Sequence, residues 1–386
     1  MKRSSWIVIA LVVSTAGANG QAESRPRART LGIPFDGTPG PLNAITDVKG
    51  VAVGHTTLIE REGPKTVRTG VTAILPANVR NGLFASTFVV NGNGEWIGTI
   101  FIEETGLLYS PIMFTNTISI GTVRDAVVKW SRQTFGADRG VDLPVVGETW
   151  DGFLNDIYGF HVKEEHVFSA LNSATTGAVA EGNVGGGTGM RCYQFKCGIG
   201  TASRVVRKER GGYTVGVLVQ ANFGIRRDLR VAGIPVGNEL SEQLMPEQKT
   251  PDDKDGSILI VVATDAPLLP HQLKRVAKRA ALGLARNGSI ADTDSGDLIL
   301  AFSTAATNVF TPRRQSEVAP NTVSTVFLRE PPLDNIFEAT VQATEEAIIN
   351  ALVAGKTMTG INGNRVHAIP HDKLREVLRR HNRLQK

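Results

Sequence analysis

The stretch Asp252-Asp253-Lys254-Asp255-Gly256-Ser257-Ile258-Leu259-Ile260-Val261-Val262-Ala263-Thr264 passes within one residue from a charged loop to an unbroken apolar run. Upstream, residues 239–255 are polar and carry Pro246 and Pro251, a composition that belongs on an exposed loop. Downstream, residues 258–264 show no alternation of apolar and polar side chains. A strand of that kind is buried on both faces, so its sheet needs a packed layer on each side. Pro270 then opens a helix with Leu273, Val276, Ala277, Ala280 and Leu284 on one face and Asn287-Gly288 as its C-cap. Residues 298–303 read as a second buried strand. Residues 335–354 read as a helix with Ile336, Val341, Ile348 and Leu352 inward, ended by Gly355, and a short basic helix begins at Asp372.

The first half has a different texture. Residues 32–41 are rich in Gly and Pro and form an irregular opening segment. From 48 to about 120, short β-branched runs such as 71–75 and 87–90 alternate with Gly, Asn and Pro and read as strands. Helical spacing appears over 122–135, through Val123, Ala126, Val127 and Trp130, and again over 162–171. The glycine-rich run 182–189 lacks the Gly-Lys-Ser/Thr ending of a phosphate loop and leads into a strand-like run, so it reads as a structural or substrate-hugging loop. Residues 213–220 are a clear strand. With no internal repeat and no linker, the expected architecture is one α+β domain with helices outside buried sheets.

Met1-Lys2-Arg3, the apolar run 6–13 and Ala16-Gly17-Ala18 have the order of a secretory signal peptide, ending after Ala18 or Ala22, here taken as 1–22. That run falls well short of the roughly 20 residues of a spanning helix, so no stable membrane span is expected and the mature protein is expected to be periplasmic or secreted. The net charge of +5 rests partly on Arg25, Arg27, Arg29 and the tail Arg379-Arg380-His381-Asn382-Arg383, all expected on a solvated surface. No aromatic residues interleave them, so nucleic acid is not an expected partner. Cys192 and Cys197 fit either an extracellular disulfide or two buried thiols. His161 and His166 fall on different helix faces, and Pro370 breaks the helix that His367 and His371 would need, so no metal site is read.

Common catalytic signatures such as G-x-S-x-G, H-E-x-x-H and the Walker loop are absent, which directs attention to the Gly256–Ser257 junction. A cut there gives Ser257 a free α-amine beside its own hydroxyl. With a pKa of about 7.7–8.0, such an amine is a base at neutral pH without any histidine. Gly98-Thr99, Gly121-Thr122, Gly200-Thr201 and Gly288-Ser289 show that the dipeptide alone is common in this chain. On residues alone, a loop-Gly-Ser-strand junction also fits a plain loop meeting a strand.

Residues 255–268 resemble the start of the β chain in the DmpA/BapA family of L-aminopeptidase/D-esterases and β-aminopeptidases, self-processing hydrolases with an N-terminal serine. The resemblance extends over Asn43-Ala44-Ile45-Thr46-Asp47-Val48, Val53-Gly54-His55, the 182–189 run, Val219-Gln220-Ala221-Asn222, Ser295-Gly296-Asp297 and Ala301-Phe302-Ser303-Thr304-Ala305. It implies a four-layer αββα sandwich like that of N-terminal-nucleophile hydrolases, splitting into an α chain (23–256) and a β chain (257–386), a homo-tetramer of two-chain protomers, and no cofactor. It places the nucleophile on Ser257, a Ser-x-carboxylate pair on Ser295 and Asp297, the oxyanion-binding side chain on Asn222, and substrate contacts on Glu148 and Trp150. Two positions depart from the family pattern: Asp297 stands where a glutamate is expected, and Trp150 where a tyrosine is expected. An indole donates a hydrogen bond but transfers no proton as a phenol does. The expected activity is removal of the first residue from short peptides, amides or esters. The alternatives are a related acyltransferase, such as the ornithine acetyltransferases that carry threonine at the new N-terminus, and a non-catalytic envelope ligand-binding protein.

Overall fold

The computed structural model describes residues 25–136, 143–247, 256–305, 322 and 324–385. The leader 1–22 and residues 248–255 of the loop before Gly256 lie outside the described residues. In chain order the strands are β1 (Val51–Glu60), β2 (Val67–Pro76), β3 (Leu83–Gly92), β4 (Trp96–Ile97), β5 (Leu107–Leu108), β6 (Ile112–Asn116), β7 (Val145–Thr149), β8 (Arg191–Cys192), β9 (Phe195–Lys196), β10 (Ile199–Val205), β11 (Thr214–Asn222), β12 (Ser257–Thr264), β13 (Gly296–Ser303), β14 (Met358–Thr359) and β15 (Arg365–Val366). The α-helices are α1 (Thr99–Thr105), α2 (Ile120–Phe135), α3 (Glu164–Asn172), α4 (Val236–Glu239), α5 (Pro270–Arg286), α6 (Leu333–Ala354) and α7 (His371–Arg380).

Two sheets pack face to face, one ordered β1-β2-β6-β7-β4 and the other β10-β11-β12-β13-β3-β5. β12 is central to the second sheet, antiparallel to β11 and parallel to β13, with α5 as the crossover between the parallel pair. Its period of two divides the apolar run between two cores. Ile258, Ile260 and Val262 pack with α5 and α6, while Leu259, Val261 and Ala263 meet the other sheet. Beyond that sheet a third core joins Val71, Ala73, Met113 and Val146 to Val123, Val127 and Trp130 of α2 and Val167 and Leu171 of α3. The layers are therefore α, β, β, α, as the family resemblance implied. Each fully buried aliphatic side chain contributes about 1.5–3 kcal/mol, and all of 258–263 are at most 1% exposed.

Helices seat on the sheets through glycines. A Cβ at Gly54 would lie 2.0 Å from the Ala170 carbonyl oxygen of α3, and one at Gly200 would lie 2.1 Å from that of Ala347 in α6. The second sheet mixes early and late chain, since β3 pairs with β13. Among the described residues no helix is long and apolar enough to cross a membrane.

Most helix expectations hold to within two residues, but α1 falls in a region read as strands. Its Thr99, Ile100, Phe101 and Ile102 are strand-like in composition, and left-handed Gly98 and Gly106 bracket them as helix caps. The N-terminal arginines also differ from expectation. Arg27 pairs with Glu181 at 2.8 Å and Arg29 with Glu346 at 2.8 Å, so they tie the opening segment to the interior. Glu346 is fully buried on α6 and also binds buried Arg204 at 2.7 Å and the Asn43 amide at 2.6 Å. The tail arginines are exposed as expected. Cys192 and Cys197, left open by the sequence, are joined as a disulfide with Cα atoms 5.7 Å apart.

Removing Glu346 strands a buried guanidinium. Glu346→Ala is expected to cost about 3–5 kcal/mol in urea denaturation. A loss below roughly 1 kcal/mol would mean that the cluster behaves as an exposed pair.

Candidate active site

The ladder register assembles the site. Ser257, first in β12, stands opposite Asn222, last in β11, and Ile258 stands opposite Asp297 near the start of β13. Three strands that meet only in the folded sheet thus deliver their ends to one edge. Ser257 shares the face of Leu259 and Val261, toward the other sheet, and is 6% exposed. The Gly296 main-chain N–H donates to Ser257 Oγ at 3.2 Å. A Cβ at Gly296 would come within 3.0 Å of that oxygen and 2.6 Å of the Asn93 carbonyl oxygen.

Asn222, read from sequence as lying just past a strand, is held inside the ladder. Its Oδ1 accepts from the Arg191 N–H at 2.9 Å and its Nδ2 donates to the Trp150 carbonyl at 2.9 Å. Because one partner is a pure donor and the other a pure acceptor, only one orientation of the amide satisfies both. Nδ2 carries two hydrogens, so one remains to meet an oxyanion. Gly256 is buried against this residue. A Cβ there would sit 1.7 Å from the Asn222 carbonyl oxygen and 2.1 Å from Nδ2, a space only glycine fits.

Ser295 Oγ donates to Asp297 Oδ1 at 2.8 Å, so the shorter aspartate still reaches its serine. Asp297 lies on the Ile258–Ile299 face, opposite to that of Ser257 Oγ, and no hydrogen bond joins the pair to that hydroxyl. The pair instead brackets Gly296, the donor to Ser257. Burial pushes the Asp297 carboxyl up to about 6; the Ser295 hydrogen bond opposes the shift and Asp292 adds to it.

Glu148, second to last in β7, is 4% exposed. Its Oε1 accepts from the Glu95 N–H at 2.9 Å and its Oε2 from the Thr117 hydroxyl. Burial raises its pKa, the two hydrogen bonds oppose that, and the Glu95 charge adds to it. Gly94 lies between Glu148 and the start of β13, since a Cβ there would be 3.2 Å from Glu148 Oε1 and 3.4 Å from Gly296 Cα. Each carboxylate oxygen retains a lone pair for an ammonium group. Trp150 enters the site through its carbonyl, while its ring meets Tyr158 edge-on with centroids 6.1 Å apart.

The model of peptidase family S58 matches residues 43–366. The chain belongs to peptidase family S58. This is the family that the motifs resemble. Within it, the chain is similar to the β-peptidyl aminopeptidase BapA of Sphingosinicella microcystinivorans, 50% identical over 97% of this chain and 96% of the relative. It is similar in structure to a Burkholderia sp. β-aminopeptidase, with a TM-score of 0.86, 47% identity and coverage of 92% of this chain and 99% of that one. It also matches the L-aminopeptidase D-Ala-esterase/amidase of Ochrobactrum anthropi, described as a prototype of the serine aminopeptidases and a variant of the Ntn hydrolase fold. There the TM-score is 0.83 and the identity 44%, with 93% of this chain and 100% of that one covered. The S58 chain is thus a serine aminopeptidase, and the non-catalytic envelope reading is set aside.

Sequence reasoning missed the main-chain donors of Gly296 and Arg191, which leave no trace in residue type. It also passed over Asp151 and Lys196, although a lysine between Phe195 and Cys197 in a buried hairpin was a readable signal.

An ionised Asp297 is the better acceptor for Ser295, so kcat/KM is expected to rise with pH through an acidic limb near the pKa of about 6. Asp297→Asn should abolish that limb in a pH–rate series. An unchanged limb in the variant would assign it to another group.

Proposed function

We propose that the chain is an exported, self-processing aminopeptidase that releases the first residue of short peptides, amides or esters through an acyl-enzyme on Ser257. The observation that carries this reading is the nucleophile's setting: Ser257 Oγ receives the Gly296 N–H while the oriented Asn222 amide stands opposite in the ladder. A leader ending after Ala18 or Ala22 accounts for export to the periplasm or beyond, and the family resemblance for a homo-tetramer of 23–256 and 257–386 chain pairs.

Maturation begins with attack of Ser257 Oγ on the Gly256 carbonyl carbon. The Oγ–C ester forms as the C–N bond breaks, and the proton from Oγ ends on the departing nitrogen. Water then hydrolyses the ester, leaving a Gly256 carboxylate, a free hydroxyl and a free α-amine. Before that cut the nitrogen is an amide and no base. The help falls to Ser295 and Asp297, whose hydrogen bond braces the Gly296 N–H that donates to Ser257 Oγ. Gly256 suits the first reaction because no side chain blocks the approach beside Asn222.

In the mature enzyme the α-amine takes the Oγ proton as Ser257 attacks the substrate carbonyl. The free Asn222 N–H meets the developing oxyanion, a donor of a kind worth roughly 3–4 kcal/mol of barrier. The leaving amine or alcohol receives the proton, and water releases the acid. Glu148 receives the substrate's N-terminal ammonium, and Trp150 walls the site without transferring a proton. The names of the similar proteins extend the substrate reading to N-terminal β-amino acids.

Purified protein is expected to release p-nitroaniline from β-alanyl or L-alanyl p-nitroanilide, with D-alanyl esters as a further panel. Ser257→Ala is expected to lower the rate at least 10³-fold. Retention of more than a tenth of the rate by that variant would remove Ser257 from its role.

A further inference from the structure

The reaction proposed for Ser257 makes no use of the glycine-rich run 182–189, of Lys196 or of Asp151, yet all three converge behind Asn222. Lys196 is fully buried. Its Nζ donates to the carbonyls of Met190 at 2.7 Å, Gly187 at 3.4 Å and Cys197, so each ammonium hydrogen has a main-chain acceptor. The carboxylate that acts on its charge is Asp151, itself fully buried and bonded at Oδ1 by the Asn155 amide at 3.0 Å. A lone ammonium in such a place costs several kcal/mol unless it is compensated; three carbonyls meet its hydrogen bonds, while burial still pushes the Lys196 pKa well down and the Asp151 charge only opposes that shift.

The glycines let the loop close on this pair. A Cβ at Gly189 would lie 2.8 Å from Asp151 Cβ and 2.4 Å from the Arg68 carbonyl oxygen, and one at Gly187 would lie 2.4 Å from the Ile199 nitrogen. The two ends of the frame then adjoin the two groups that orient Asn222. Asp151 follows Trp150, whose carbonyl receives Nδ2, and Met190 precedes Arg191, whose N–H holds Oδ1.

We infer that Lys196 and Asp151, framed by the glycine-rich loop, are positioning residues that aim the Asn222 amide at the oxyanion. This rests on the reading of Asn222 as the oxyanion donor. Without the lysine, the Met190 and Gly187 carbonyls keep only the 3.3 Å bonds from the Cys197 and Met190 N–H groups and the Cys197 carbonyl loses the ammonium, so the 190–191 backbone shifts, and the amide shifts with it. A displacement near 1 Å in a catalytic group lowers the rate about 10²-fold.

The test measures kcat and KM per mole of processed chain for Asp151→Asn, Lys196→Met and Asn222→Ala. It adds inhibition by an amino aldehyde matched to the best substrate, whose hemiacetal oxygen occupies the oxyanion position. Asp151→Asn and Lys196→Met are each expected to lower kcat roughly 10- to 100-fold and to weaken the aldehyde by the same factor, with KM within about twofold. A merely structural role would not move kcat and aldehyde affinity together. If Lys196→Met yields no processed chain, the near-isosteric Asp151→Asn decides. Unchanged kcat in Asp151→Asn, or a fall in kcat with aldehyde affinity intact, overturns the inference. If Asn222→Ala alone loses roughly 10²- to 10³-fold, the positioning claim fails and the oxyanion reading stands. If Asn222→Ala changes neither readout, the oxyanion reading itself fails.

Discussion

The structure depends on the register that seats β12 between β11 and β13. Because Asn222 faces Ser257 on one side and Asp297 faces Ile258 on the other, the ends of three strands from distant parts of the chain meet at one edge. A slip of one residue would turn Ser257 toward the helix layer and Ile258 toward the other sheet, exchanging every side chain between two cores. Both faces of β12 are buried, so that slip is costly, and the burial that stabilises the fold also holds Ser257 in place.

Around this edge the interior is unusually polar. Glu148, Asp151, Asp297 and Lys196 are each no more than 4% exposed: Asp151 and Asp297 adjoin Trp150 and Gly296, which touch Asn222 and Ser257, Lys196 bonds the Met190 carbonyl beside Arg191, and Glu148 adjoins the glycine beside Gly296. Charged groups so placed destabilise a fold unless they are fully hydrogen-bonded. Their clustering at one end of the sandwich separates them from Glu346 and Arg204, which serve to fasten the opening segment to α6. Stability and chemistry thus occupy different ends of the same layers.

Much of this was legible in residue order. The unbroken run 258–264 announced a strand buried twice over, and Pro270, Gly288 and Gly355 marked helix limits because their backbone preferences are local. What stayed hidden was non-local. No pattern within β3 says that it pairs with β13, and nothing in Gly296 or Arg191 marks a main-chain N–H as a site donor. Local composition also misled at α1, where β-branched residues form a helix because the flanking left-handed glycines and the packing above β3 override propensity. Arg27 and Arg29 looked like solvated charges because their acidic partners lie more than a hundred residues away. Of the candidate site, Ser257 was visible at the loop-to-strand junction, while Asn222, Ser295, Asp297 and Glu148 came with the family resemblance. The opposite-face placement of the Ser295–Asp297 pair became visible only in the ladder.

The central claim is that a free α-amine created by the chain's own scission activates the hydroxyl beside it. N-terminal sequencing and intact mass of the purified active protein address this most directly. The account predicts two associated chains, the smaller beginning Ser257-Ile258-Leu259. A fully active preparation consisting of one uncut polypeptide would contradict it.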